Sequence, residues 1–182
     1  MIKTNYIETE CIVFKKRKYL ESSAILEVFT PIFGCKNFLV KGIFRKNKRF
    51  YSPLEQLSVN SVQIFYKENR ELNVITKAYL LFYPMGVIKD LNKFNFAVEM
   101  IRILRKQKFP TESVQKLYEL LKVTLNILDK SQKSDEVYHN FLEKYLDIEG
   151  YMNDRIKSEN IKRMLLKERI KHYESIIERT VG

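Results

Sequence analysis

Glycine is scarce in this chain, with five in 182 residues. Phosphate cradles of the Gly-x-Gly-x-x-Gly or P-loop kind need clustered glycines, because the backbone has to close on the ligand. No such cluster occurs, and no Gly-x-Ser-x-Gly elbow offers a nucleophilic serine. Cysteine is scarcer still. Cys11 and Cys35 are the two, with no Cys-x-x-Cys, and they read as reduced, half-buried thiols. His139 and His172 lie far from both in sequence, so no zinc-ligand spacing arises. No metal and no cofactor are expected. Long apolar runs are also missing. Tyr79 to Tyr83 is among the longest, against the roughly 20 residues that a spanning helix needs. The opening MIKTNYIETE lacks the apolar core of a signal peptide. Together these absences predict a cytoplasmic protein without membrane association.

Acids are in deficit, 22 against 33 Lys and Arg, for a net charge of +11. The excess is uneven. Residues 1–50 hold eleven basic and four acidic groups, a net of +7, and residues 51–182 carry the remaining +4. A basic front third points to an anionic partner there, with nucleic acid the commonest candidate. Paired acids that could do proton chemistry have simpler readings. Asp135 and Glu136 suit a helix start, and Glu8 and Glu10 a polar N-terminal segment. His172 reads as a solvated helix residue. No catalytic residue stands out, so the chain is expected to bind and scaffold, not to act as an enzyme.

The charge concentrates in two places. The first is Lys15, Lys16, Arg17 and Lys18, expected in the connection after a short first strand, Glu10 to Lys15. The second is the stretch Phe38 to Phe50, FLVKGIFRKNKRF, which starts as a strand and continues past Gly42 as a basic loop. From Lys36 to Phe50 there are six Lys or Arg and no acid. Lys41, Arg45, Lys46, Lys48 and Arg49 suit phosphate contact. Phe44, Phe50 and Tyr51, in the loop itself, are the candidates for base stacking. Tyr19 and Phe38 read as core.

Strand signals recur through the front half. Ser23 to Thr30 gives a second strand, Pro31 to Gly34 a turn, and Lys36 to Ile43 a third strand. Gln56 to Tyr66 gives a fourth, with a slip at Asn60-Ser61 that suggests a bulge. Leu72 to Leu80 gives a fifth, with Leu72, Val74, Thr76, Ala78 and Leu80 on one side. Five short strands without intervening helix predict a small barrel or sandwich, and the five-stranded, partly open barrel of the oligonucleotide-binding (OB) type fits the count. After Pro84 and Gly86 the pattern is helical. Leu91 to Lys108 has two apolar stripes. A second helix follows Thr111, a third follows Ser134 and ends at Gly150, and a last one follows Ser158. The expected fold is α+β in two domains: a five-stranded OB-fold β-barrel at 1–82 and a C-terminal α-helical bundle of about four helices at 83–182.

The order of motifs resembles the bacterial DNA repair and recombination mediator family RecO. The matching segments are CIVF with KKRKYLESSAIL, then FTPIFG, LVKGIFRK, PLEQLSV and LNVITKAYLL, with FLEKYLDIEGYM in the helical half. Members are usually longer, and many carry a four-cysteine zinc module after that last helix. Here the chain passes from Gly150 to the final helix without those cysteines.

The resemblance implies a protein that binds single- and double-stranded DNA and anneals complementary strands. It would act with RecR to let RecA replace single-strand-binding protein (SSB), in the bacterial cytoplasm at the nucleoid. It also implies that the acidic C-terminal tail of SSB docks on the helical half. Arg102, Arg105, Lys116 and Lys122 are the candidate cations for that tail. Two other readings remain beside it: a protein–protein adaptor, and an RNA-binding OB-fold protein.

Overall fold

A computed structural model describes residues 4–44, 54–106, 109–152 and 164–181. The chain divides into two compact units, Met1–Tyr83 and Pro84–Gly182.

The first unit is a closed barrel. Its strands are β1 (Thr4–Tyr19), β2 (Ser23–Thr30), β3 (Gly34–Val40), β4 (Val59–Lys67) and β5 (Asn73–Phe82), and the order around it is β1-β2-β3-β5-β4. All pairings are antiparallel except that of β3 with β5. This is the five-stranded OB arrangement that the strand count predicted.

β1 is much longer than the Glu10–Lys15 strand expected from sequence. Its first part pairs with β4, from Thr4 opposite Lys67 to Ile12 opposite Val59. Its second part pairs with β2, from Ile12 opposite Phe29 to Tyr19 opposite Ser23. The change of partner coincides with an irregularity between Val13 and Lys15. Phe14 sits in that break and is fully buried, with its ring stacked on Phe29 at 5.6 Å. One bulge thus lets a single strand serve two neighbours and closes the barrel.

The interior holds Cys11, Val13, Leu26, Val28, Phe38, Val40, Val62 and Ile64, among others. Leu54 plugs the same core, and Ile43 and Tyr66 pack against it. The slip expected at Asn60-Ser61 of β4 is not a bulge in that strand, which runs in unbroken register against β1; the pairing with β5 shifts one step earlier, between Val59 and Asn60, where Leu81 of β5 is the extra residue. A second shift, between Gln63 and Ile64, corrects the expected face of β5. Ile75 and Ala78 point into the core, and Thr76 lies between them as the extra residue. Its hydroxyl donates to the Gln63 carbonyl at 3.1 Å. Leu80, expected on the buried side, is 41% exposed.

The second unit holds, among the described residues, α1 (Met85–Lys89), α2 (Leu91–Lys106), α3 (Thr111–Lys130), α4 (Ser134–Ile148) and α5 (Leu166–Val181). α1 is too short to leave a periodic signature, and sequence reading passes over it. Its first N–H groups find a distant partner. Asp129, near the end of α3, accepts from the Gly86 N–H at 2.5 Å and the Val87 N–H at 3.1 Å.

Both stripes of α2 are buried, through Ala97, Ile101 and Leu104 on one and Met100 and Ile103 on the other. α3 packs on α4, and Leu117, Leu121, Leu125 and Leu128 of the one and Phe141, Leu142 and Tyr145 of the other are buried. Thr111 and Ser134 are first helical residues, not caps. Pro110 and Lys133 hold the cap positions without side-chain cap bonds. Gly150 ends α4 with φ of 76°, which a glycine adopts without strain. Ser158 lies outside the described residues.

Candidate nucleic-acid interface

Lys15 to Lys18 lie inside β1, paired with β2, and not in the connection after it. Strand alternation therefore splits them. Lys16 and Lys18 stand opposite Leu26 and Ala24, two interior residues, whereas Lys15 and Arg17 stand opposite Glu27 and Ile25. Lys15, Arg17 and Lys18 are exposed. Lys16 is committed elsewhere. Its ammonium donates to the Glu55 carboxylate at 2.7 Å and lies 5.6 Å from the centre of the Phe44 ring.

The connection itself is Leu20 to Ser22. Tyr19 before it is 42% exposed and Leu20 is 73% exposed. Tyr19 is thus a surface aromatic, not the core residue expected, while Phe38 is fully buried as expected. The signal for Tyr19 was present in its place at the end of a polar run, where no apolar neighbour continues the inward face.

The segment after β3 returns to this same connection. Gly42 turns with φ of 75°, and the Phe44 N–H donates to the Ser22 carbonyl at 3.2 Å. Lys41 is exposed and Phe44 is 46% exposed. The end of β1, the β1–β2 turn and residues 41–44 therefore lie together at one end of the barrel. Arg45, Lys46, Lys48, Arg49, Phe50 and Tyr51 lie outside the described residues. The rim has Lys15, Arg17, Lys18 and Lys41 as exposed cations, with Tyr19 and Phe44 as accessible rings. That combination can pair with phosphates and stack on bases without reading a sequence.

The four cations of the helical half do not line one groove. Arg102 pairs with Glu99 at 2.6 Å on its own helix and with Glu178 of α5 at 3.7 Å. The hydrogen bond that Arg102 donates to Glu99, opposed in part by burial, raises the guanidinium pKa. Arg105 and Lys116 are exposed. Lys122 is half-buried, with its ammonium 6.0 Å from the Tyr118 ring centre. Lys116 and Lys122 project from different sides of α3, six residues apart. The apolar groove in this unit runs instead between α3 and α4. Leu120, Val123 and Ile127 line it from one side, and Val137, Phe141 and Lys144 from the other. Lys144 was not among the cations picked from sequence, since only its facing partner on α3 marks it.

Among the described residues no group of His, Cys, Asp and Glu could hold a metal ion. No helix among them is long and apolar enough to cross a membrane.

Comparison with known proteins agrees with the resemblance read from the ordered segments. Residues 1–83 match the family described as "Recombination protein O N terminal". The chain is 25% identical over 127 residues to the DNA repair protein RecO of Prosthecochloris aestuarii, covering 70% of this chain and 48% of the relative. It is 28% identical over 127 residues to that of Chloroherpeton thalassium, covering 70% and 49%. It is 26% identical over 147 residues to that of a Thermoanaerobacter species, covering 80% and 58%. The chain thus spans about half the length of the curated relatives it matches.

Proposed function

We propose that this protein is a DNA repair and recombination mediator that works by binding and not by covalent chemistry. It would hold single- and double-stranded DNA on the rim formed by Lys15, Arg17, Lys18 and Lys41, continued by Arg45, Lys46, Lys48 and Arg49. The observation that carries the reading is the bond between the Phe44 N–H and the Ser22 carbonyl, which brings the chain just before the second basic segment against the β1–β2 turn that follows the first. It does so within the unit that matches the recombination protein O family.

The physics of the reaction suits such a surface. Two complementary strands repel each other through their phosphates. A basic rim lowers that repulsion and releases counterions as it binds. Contacts of this kind carry little sequence preference. Annealing then needs only that the strands be held close with their bases accessible.

The resemblance to the RecO family suggests the rest of the reading. With RecR, the protein would help RecA replace SSB on single strands. The SSB tail, acidic and apolar at its end, would need an apolar floor and a cationic rim. The helical unit offers the α3–α4 groove as floor, with Lys144 as the cation that lines it.

The deciding measurement is the rate at which complementary oligonucleotides anneal after precoating with SSB. The protein is expected to accelerate it, and more so with RecR present. No acceleration, with a DNA gel shift also negative and the SSB tail still retained in a pull-down, would leave a protein–protein adaptor in its place.

A further inference from the structure

Three non-glycine residues among those described have positive φ: Leu20 at 55°, Leu54 at 50° and Leu57 at 69°. Such backbone is strained for a bulky side chain and persists where something holds it. For Leu54 and Leu57 the reason is packing, since both are fully buried. Leu20 has no such reason, because it is 73% exposed at the tip of the β1–β2 hairpin. The position calls for Gly or Asn by its backbone and for a polar residue by its exposure, and it has neither.

Its surroundings give the residue a use. Lys18 precedes it by two residues and, with Leu20, Glu21, Ser22 and Ser23, lines a shallow depression. Arg17 and Lys41 are exposed, and Tyr19 is a surface ring beside it. Glu21 is the acid of the turn, and the three cations outnumber it. The Phe44–Ser22 bond keeps the tip in place against residues 41–44.

We propose that Leu20 is a wedge that enters a base step of single-stranded DNA held on this rim and parts two stacked bases. In duplex DNA, apolar side chains of minor-groove proteins part base steps in this way, and the steps of a single strand, without a pairing partner, are easier to part. A base parted from its neighbour is released from the single-strand stack and can turn its pairing edge toward an incoming strand. This inference rests on the DNA-binding reading above and adds the role of the hairpin tip.

The test uses the full chain and a single-stranded oligonucleotide with 2-aminopurine between adenines, whose fluorescence is quenched by stacking. Binding of the wild-type protein is expected to raise the fluorescence. Leu20→Gly suits the positive φ and leaves the hairpin intact. It is expected to bind with similar affinity by anisotropy and to lose the rise entirely. Leu20→Met is expected to keep it. A rise that persists in Leu20→Gly overturns the wedge and leaves DNA binding standing. A variant that binds weakly but shows the full rise at saturation also overturns it. If the wild-type chain does not bind the oligonucleotide at low salt, the DNA reading falls and the wedge falls with it.

Discussion

The Lys16 ammonium rests on the Glu55 carboxylate at 2.7 Å, and this ion pair separates Lys16 from the cations around it. A phosphate approaching Lys16 has to compete with a carboxylate already in place, whereas Arg17 and Lys18 are exposed. On single strands each phosphate contact contributes about 0.7 to the slope of log K against log salt. Replacing Arg17, Lys18 or Lys41 by Ala should therefore flatten the slope by nearly that amount, while Lys16→Ala should change it much less. Glu55→Gln should steepen it, because Lys16 is then released for phosphate. Fluorescence anisotropy with an oligothymidylate over a salt series measures all five variants against the wild type. A Lys16→Ala effect equal to that of Lys18→Ala would show that the ion pair opens on binding.

The two thiols should differ sharply in reactivity. Burial inside the barrel, with the Glu10 charge as a smaller contribution, pushes the Cys11 thiol up to about 12. Almost no thiolate exists there at neutral pH, and reagent has no path to it. Cys35, on β3, is half-buried. Native protein should consume one equivalent of Ellman's reagent and a second only in denaturant. Rapid reaction of both would place the barrel in exchange with an open form.

How far the barrel could be read from sequence varied with how each strand meets its neighbours. β2 was legible to its ends, because alternation starts at Ser23 and Pro31 stops it. β1 was not, since Lys15 to Lys18 look like a loop when taken alone. They are a strand because β2 supplies a partner for each of them. The register of β5 failed at Thr76 for a related reason. A bulge is set by the partner strand and leaves alternation in sequence looking intact. The two basic segments were legible as charge, but the bond that brings residue 44 to the β1–β2 turn, Phe44 to Ser22, joins backbone atoms and has no residue signature. Leu20 was missed for the opposite reason: an apolar residue beside a strand end is expected to be core.

The junction between α1 and α3 should be the least tolerant point of the helical unit. A Cβ on Gly86 would clash with the backbone carbonyl of Asp129, which side-chain rotation cannot relieve. Lys93 pins the same carbonyl at 3.2 Å. Gly86→Ala is expected to cost about 1–3 kcal/mol, the usual range for forced overpacking. Asp129→Ala removes the acceptor for two N–H groups and should cost about 1 kcal/mol, as for a lost helix cap. The pair should be non-additive, since both changes disturb one contact. Urea unfolding followed by far-UV circular dichroism measures this, with additive losses as the contrary result.

Glu149, at the C-terminal end of α4, should shape the pH dependence of stability in the direction opposite to most carboxylates. Burial raises its pKa above the ordinary value, and a hydrogen bond from Ser113 lowers it by a smaller amount. Its Oε1 is buried without a partner. A raised folded-state pKa means that the native state binds the proton more tightly than the unfolded chain does. Between the two pKa values the native state therefore carries more protons, and stability falls as pH rises through that window. The window opens at the ordinary glutamate value and extends upward. Glu149→Gln mimics the protonated form and keeps the acceptor for Ser113. It is expected to be more stable than wild type at neutral pH and equal to it or weaker in acid. Because other carboxylates titrate nearby, the diagnostic is the difference between the two urea midpoints plotted against pH. A flat difference would mean that Glu149 reaches solvent, and a difference that grows toward acid would mean that its charge is stabilised by a partner.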